Sequence, residues 1–577
     1  MKARLLTLAR ELRSSPLPWI LCATFLVHIV GLTWGLPAAD AWEDDGIAPR
    51  DFLVGAYETY LPGHYFTYPP VHLLGLSVLT SPVWGLALAR APSFAQADVI
   101  ATMIQVPTMT ALTVVARFVS ELMALGIIYF LAKLAEEVWG KPASLFVALV
   151  IAVNAPLTYY AHTSNLDVPY MFWVCFALLE TARCIVRREP RRLRRVFLYA
   201  ALGVGTKDQA YAVFLAGFPV AMVLWGLLDG EMKARRGELL KQLAIALAIS
   251  GVLFLFISGA ITNPSGFRAR IHFLLGPASQ NHAYYAVSWS GRLMILRDLA
   301  LGWDRFYPYP FALAAIAGLA IHVARARRTK APEKLVAGLL PLLGSLSFIL
   351  CFNMTARRTE HRFALPEMLL LGVYAGVAFD GLVETCRSLA ARRGALVAVA
   401  GLLAWGLFEC VAVDANMLLD PRYDAEAFLN ANIHDGDVIE TYGANAYLPR
   451  FPKGARVTRV DISPLSTRNP LPNVQELQAP FHEIETRKPR FIVVTDAWVW
   501  RYMVHGAWGG RVVPPEQAER ERDEPTRAYF QGLYAAQSPE YRMVHLSRFS
   551  SPLWPTRQIH QSTAKDIGIF ERKTTGL

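Results

Sequence analysis

The chain has 577 residues, 54% of them hydrophobic and 18% charged, with 57 Lys and Arg against 46 Asp and Glu and a formal net charge of +11. That balance excludes a soluble globular chain. It does not point to nucleic acid either, because the basic residues concentrate in short stretches between apolar segments (2–13, 183–195, 233–241, 325–334 and 387–393), the positive-inside pattern of a membrane protein.

The first apolar run spans 18–36. The AADA that follows resembles a cleavage site, but the run is long for a signal peptide, and a retained anchor is expected. Next comes WGLPAADAWEDDGIAPRDF, which places Asp40, Glu43, Asp44, Asp45 and Asp51 within a dozen residues. Carboxylates this crowded repel one another unless they are hydrated, bind a cation or do chemistry. Trp42 beside them suits a membrane interface. Residues 71–89 read as an interfacial helix on the outer leaflet, kinked at Pro82.

Further apolar runs cover 110–132, 143–160, 168–186, 242–262, 309–324, 335–352, 363–384 and 394–413. The stretch 196–228 is interrupted at GTKDQ and basic on both flanks, so it reads as two crossings with Lys207 and Asp208 near the outer turn. The expectation is a polytopic α-helical membrane protein of about eleven spans, N-terminus inside. Its membrane domain is 1–413, with an acidic outer loop at 37–70.

From Asp414 the composition turns polar, and an extracytoplasmic α/β domain is expected over 414–577. Its elements are a helix near 422–432, strands at DVIETY and RFIVVT, a charged helix near 516–535, and strands at YRMVHL and DIGIFE. The six cysteines lie in or beside apolar segments without CxxC spacing, so neither a disulfide framework nor a thiolate metal site is expected.

Five features share the outer face in this topology. They are Glu43–Asp44–Asp45; Tyr68–Pro69–Pro70–Val71–His72; HTSNLDVPY with His162, Asn165 and Asp167; Lys207–Asp208; and ARRTEHRF with Arg357, Arg358, His361 and Arg362. Three arginines in six residues on that side break the positive-inside rule, and an anionic partner such as a lipid phosphate supplies a reason. The structural alternatives are an ion-pair network with the first-loop acids, a helix N-cap for Asp167, and a simple Lys207–Asp208 turn pair. His72 and His162 lack the spacing of a metal site.

The order of these features along the spans, ending in HRFALPEMLLL, resembles the GT-C membrane glycosyltransferases, nearest the bacterial protein O-mannosyltransferase and aminoarabinose transferase-like group. The resemblance covers about residues 1–415. It implies a polyprenyl-phosphate-linked sugar donor and a hydroxyl acceptor on a lipid, glycan or protein at the outer face of the bacterial inner membrane, with no nucleic acid involved. It places the catalytic acids at Asp44 or Asp45 and at Asp167. Lys207, Arg362, Arg358 and His361 fall to the donor phosphate, and Glu43, Tyr68, His162 and Asn165 to positioning. Some relatives carry a basic residue where this chain has Tyr68, which removes one expected phosphate contact. A divalent cation, magnesium or manganese, is compatible with the set, and no metal ligands are assigned. The chemistry suits the residue types: a carboxylate takes the acceptor proton, and cations stabilise the departing phosphate. A one-step displacement inverts the anomeric centre. A transporter or flippase of lipid-linked glycans, which should carry charges at mid-span, and a non-catalytic envelope assembly protein are the alternatives.

Overall fold

In lipid, an apolar run satisfies its backbone only as a helix or within a closed barrel. The computed structural model describes residues 15–573 except 41, 44, 45, 468–470, 504–510, 558, 561 and 562. Among the described residues, eight helices are long and apolar enough to cross a membrane: Val106–Trp139, Asp167–Val186, Asp208–Leu228, Arg236–Ile257, Tyr309–Thr329, Pro332–Arg357, His361–Thr385 and Leu389–Asn432. The count rises to ten if two bent pairs, Val71–Leu79 with Ser81–Arg90 and Lys141–Ala152 with Ala155–Ala161, are one span each. The first apolar run forms the shorter helix Leu17–His28 and a 3-10 turn at Ile29–Gly31. The protein is therefore a multi-pass membrane protein with a C-terminal α/β domain. The expected kink at Pro82 takes the form of a break at Thr80, with Pro82 in the first turn of the second helix. The stretch expected as two crossings forms a helix of only 12 residues, Leu193–Val204, and the longer Asp208–Leu228.

The chain forms two compact units that do not follow chain order. One holds Met1–Leu32, Asp51–Leu79 and Ala116–Val411; the other holds Thr33–Arg50, Thr80–Val115 and Ala412–Leu577.

In the first unit a set of ion pairs gathers at one end of helix Asp167–Val186. Helix Asp167–Val186 has 20 residues, or about 30 Å of rise. Near its C-terminal end Arg183 binds Glu180 at 2.9 Å and Glu137 at 3.2 Å. Arg188 then binds Asp229 at 2.8 Å and Glu333 at 3.0 Å. The basic stretch 183–195 thus ties the ends of four helical segments together. The N-terminal end of the same helix carries Asp167.

The second unit is built on a six-stranded sheet in the order β3-β2-β1-β4-β6-β5. The strands are β1 Val438–Tyr442, β2 Arg456–Asp461, β3 Val474–Gln478, β4 Phe491–Thr495, β5 Tyr541–Ser547 and β6 Ile567–Arg572. Strands β1 to β4 run parallel, while β6 and β5 are antiparallel additions. The run FIVVT in β4 is apolar throughout because both faces are buried. Ile492 and Val494 join a core with Tyr442, Phe530 and Phe570, and Phe491 and Val493 join one with Leu429, Ile439 and Ile569. Strands β2 and β3 were not among the expected elements. The expected charged helix near 516–535 is two helices, Pro515–Arg520 and Glu524–Tyr534. Asp523 caps the second, accepting from the Thr526 amide at 3.2 Å.

Candidate active site

The site in the helical unit begins with a tight turn before helix Asp167–Val186. The Asn165 side chain accepts from the Asp167 amide at 2.8 Å, an Asx turn that presents Asp167 at the helix start. Asp167 is fully buried, and its Oδ1 accepts a 2.6 Å hydrogen bond from Lys207 Nζ. Lys207 itself is only 8% exposed. The other carboxylate oxygen, Oδ2, is buried without a protein hydrogen bond. Asp167 is therefore an ion-pair partner rather than a helix cap. A desolvated carboxylate needs such a cation.

Lys207 does not pair with its neighbour Asp208. Its backbone is extended (φ −149°, ψ 127°) before the turn at Asp208–Ala210, so consecutive side chains diverge. Asp208 instead receives both terminal nitrogens of Arg270, one at 2.8 Å, from helix Pro264–Leu275. Arg270 also donates to the Thr67 carbonyl at 3.3 Å and covers the Phe66 ring at 5.2 Å. The Val71 amide donates to the Gly205 carbonyl at 2.9 Å. Gly205 permits that approach: a Cβ there would lie 2.6 Å from Val71 Cγ2. These contacts bring the segment containing Tyr68 to the Lys207 turn. Tyr68 is half-buried.

The arginine cluster approaches from another direction. Helix Pro332–Phe348 passes into a π-helical segment, Ile349–Arg357, and helix His361–Thr385 follows. Asn353 fixes the connection, donating to the Arg358 carbonyl at 3.2 Å and the Phe363 carbonyl at 2.7 Å. Arg357, in the left-handed region at φ 57°, donates to the Tyr285 carbonyl at 2.9 Å. Arg358 binds Glu360 at 2.8 Å through Nε. Three cations then converge on one ring: Arg358, Arg362 and Lys207 lie 4.5, 4.6 and 6.0 Å from the Phe363 centroid. His361 lies beside them in sequence, its ring 6.2 Å from that of Phe306.

His162 belongs to a different cluster. Its ring is 6.0 Å from that of His28. His28 Nδ1 is 3.0 Å from Glu121 Oε2, and its Nε2 is 3.2 Å from Thr158 Oγ1. Arg117, one turn before Glu121, donates to the Leu32 carbonyl at 2.8 Å. These charges lie level with the turn at 162–166.

Arg270, His28, Glu121 and Glu367 were not among the expected site residues. Glu367 is fully buried with neither carboxylate oxygen hydrogen-bonded. A glutamate inside the apolar run FALPEMLLL was the available signal. For Arg270 the signal was a long connection between spans, which in compact proteins is usually functional.

Asp44 and Asp45 lie outside the described residues. Glu43 is 6% exposed and belongs to the C-terminal unit. Trp42 is 2% exposed, with Arg422 4.2 Å above its ring and Tyr423 4.9 Å away, enclosed by cation–π and ring contacts within its unit. Among the described residues no three His, Cys, Asp or Glu side chains gather as a metal ligand set. Asp167 has Lys207 as its cation.

No family model matches the chain, and no curated protein matches it. Solved structures do. ArnT from Cupriavidus metallidurans in the apo state matches at 15% identity and a TM-score of 0.49, covering 85% of this chain and 96% of that one. The same protein bound to undecaprenyl phosphate matches at 17% identity and 0.48, with the same coverage. The archaeal oligosaccharyltransferase AglB from Archaeoglobus fulgidus, in complex with an inhibitory peptide and a dolichol-phosphate, matches at 12% identity and 0.45, covering 96% of this chain and 88% of that one.

Proposed function

We propose that the protein is a GT-C-type glycosyltransferase that moves a sugar from a polyprenyl-phosphate-linked donor to a hydroxyl on a lipid, glycan or protein. The observation that carries this reading is the convergence of Lys207, Arg358 and Arg362 on Phe363. The buried Asp167 is paired to the first of them. Cations gathered at one end of a helical bundle, opposite its basic belt, suit a phosphate that arrives with a lipid tail.

Lys207, Arg362, Arg358 and His361 hold the donor phosphate in this scheme. Asp167 orients Lys207 and keeps it charged. One of the first-loop acids, Asp44 or Asp45, accepts the proton of the attacking hydroxyl. The oxygen attacks the anomeric carbon, the bond to the phosphate oxygen breaks, and polyprenyl phosphate leaves carrying the electron pair. Attack opposite the leaving group inverts the centre. The membrane domain is 1–413 and the soluble domain 414–577, the latter on the outer side of the inner membrane together with the Asp167 end of the helices.

A transporter is the second reading, favoured by the buried Arg117 and Glu121, which lie within the span Val106–Trp139. The test is donor turnover: purified protein given polyprenyl-phosphate sugars and an acceptor should release polyprenyl phosphate. Translocation without release would instead establish a transporter.

A further inference from the structure

The C-terminal unit holds the segment that leads into the acidic cluster with a dense set of side-chain contacts. Asp420 caps helix Pro421–Asn432 and fixes Arg422, accepting from its Nε at 2.8 Å and its terminal nitrogen at 2.7 Å. The same carboxylate accepts from the Trp34 indole at 3.2 Å. Arg422 is thereby set 5.1 Å above the Trp34 ring and 4.2 Å above the Trp42 ring. The Tyr423 hydroxyl accepts from the Gly35 amide at 2.9 Å. Gly35 has φ +72°, and a Cβ there would lie 2.6 Å from the Trp42 ring, so only glycine allows the fold-back. Arg450, held by Glu426, lies 5.4 Å from Trp42 on its own account.

The far flank is held as well. Asp40 accepts from Asn445 Nδ2 at 2.8 Å and from Arg50 at 3.3 Å. Asn445 follows the C-terminal end of β1, beside β4, where crossovers in a parallel sheet part and such sheets usually bind ligands. Asp40 thus occupies, from within the chain, the kind of position a ligand takes elsewhere.

We infer that the C-terminal domain is a positioning device for transfer, in which Tyr423, Arg422 and Asn445 fix Gly35, Trp42 and Asp40 and so hold the chain that carries the first-loop acids. This rests on the transferase reading above. Burial of Trp34 and Trp42 at 1% and 2% exposure gives the clamp a rigid centre, since their rings cannot shift without breaking the Arg422 stack. The three residues touch no reacting atom in this scheme and act through the loop. Their loss should lower turnover and leave donor affinity alone.

Full-length Tyr423→Phe and Asn445→Ala are the test, since each removes one loop contact and little volume. Turnover should fall roughly 10- to 100-fold, the scale of a small misplacement of a reacting group, with donor affinity within about twofold of wild type. Hydrogen exchange over 33–50 should rise in both variants, because Tyr423→Phe frees the Gly35 amide and Asn445→Ala removes the tie between Asp40 and Asn445. Faster exchange with unchanged turnover would overturn the positioning role, as would unchanged exchange. A wild-type protein inactive on every polyprenyl-phosphate sugar would overturn the transferase reading itself. The exchange measurement would still decide, independently, whether the clamp exists.

Discussion

Lys207 Nζ donates to Asp167 Oδ1 at 2.6 Å, joining the turn before one membrane helix to the start of another forty positions earlier. Both groups are almost wholly removed from solvent. Separating such a pair leaves one desolvated charge uncompensated.

Single replacement of either partner should therefore cost more than replacement of both. Asp167→Ala or Lys207→Ala alone should destabilise the helical unit by about 3–5 kcal/mol, and the double variant by less than the sum. Thermal unfolding of the detergent-solubilised protein checks this. Additive losses would show that the pair contributes no coupling.

Arg362→Lys keeps the charge beside Phe363 and loses the planar fork. Affinity for polyprenyl phosphate should fall about tenfold, corresponding to one lost charge-assisted bond, while expression and unfolding temperature hold. Equilibrium binding of the lipid to both proteins is the measurement. Unchanged affinity in Arg362→Ala would remove the residue from the phosphate site.

Burial raises the Asp496 carboxyl to about 6 from its ordinary value of 3.8, against a smaller opposing effect of Lys565. The folded protein thus binds more protons than the unfolded chain between those values, and stability falls as pH rises through about 6. Acidification from pH 7.5 to 5 should gain on the order of 1 kcal/mol from this group, discounted for its partial exposure. Asp496→Asn should remove that dependence and stabilise the domain at neutral pH. Denaturant midpoints at the two pH values test it.

Reporter fusions at residues 190 and 420 should show opposite sidedness. The Arg183–Arg195 belt and the Asp167 end of the helix are about 30 Å apart across the bundle, and the C-terminal domain is proposed on the Asp167 side. The same side for both fusions would contradict this topology.

The apolar runs made most of the helices legible, because lipid leaves the backbone no alternative. Asp167 and Lys207 stand out in the sequence for the same reason: ionisable groups at span ends are conspicuous there. Their pairing does not stand out. Adjacent Lys207 and Asp208 invite a turn pair, and only the extended backbone at Lys207 sends the two side chains apart, one to Asp167 and the other to Arg270. Strands β2 and β3 escaped notice because RVTRVD and VQELQ carry too few apolar residues to signal burial. The stack of Arg422 on Trp42 was not legible, because a ring suited to an interface is equally suited to an arginine and Arg422 lies hundreds of residues away.

The central claim is that first-loop acids and Asp167 serve a transfer reaction. Turnover of a polyprenyl-phosphate sugar, measured together with expression for Asn variants at positions 44, 45 and 167 and Gln at 43, tests it most directly. The account predicts a loss of about 10²–10⁴ for at least one of Asp44 and Asp45, as expected for a missing general base, in protein that still folds. All four variants within a fewfold of wild type would contradict it.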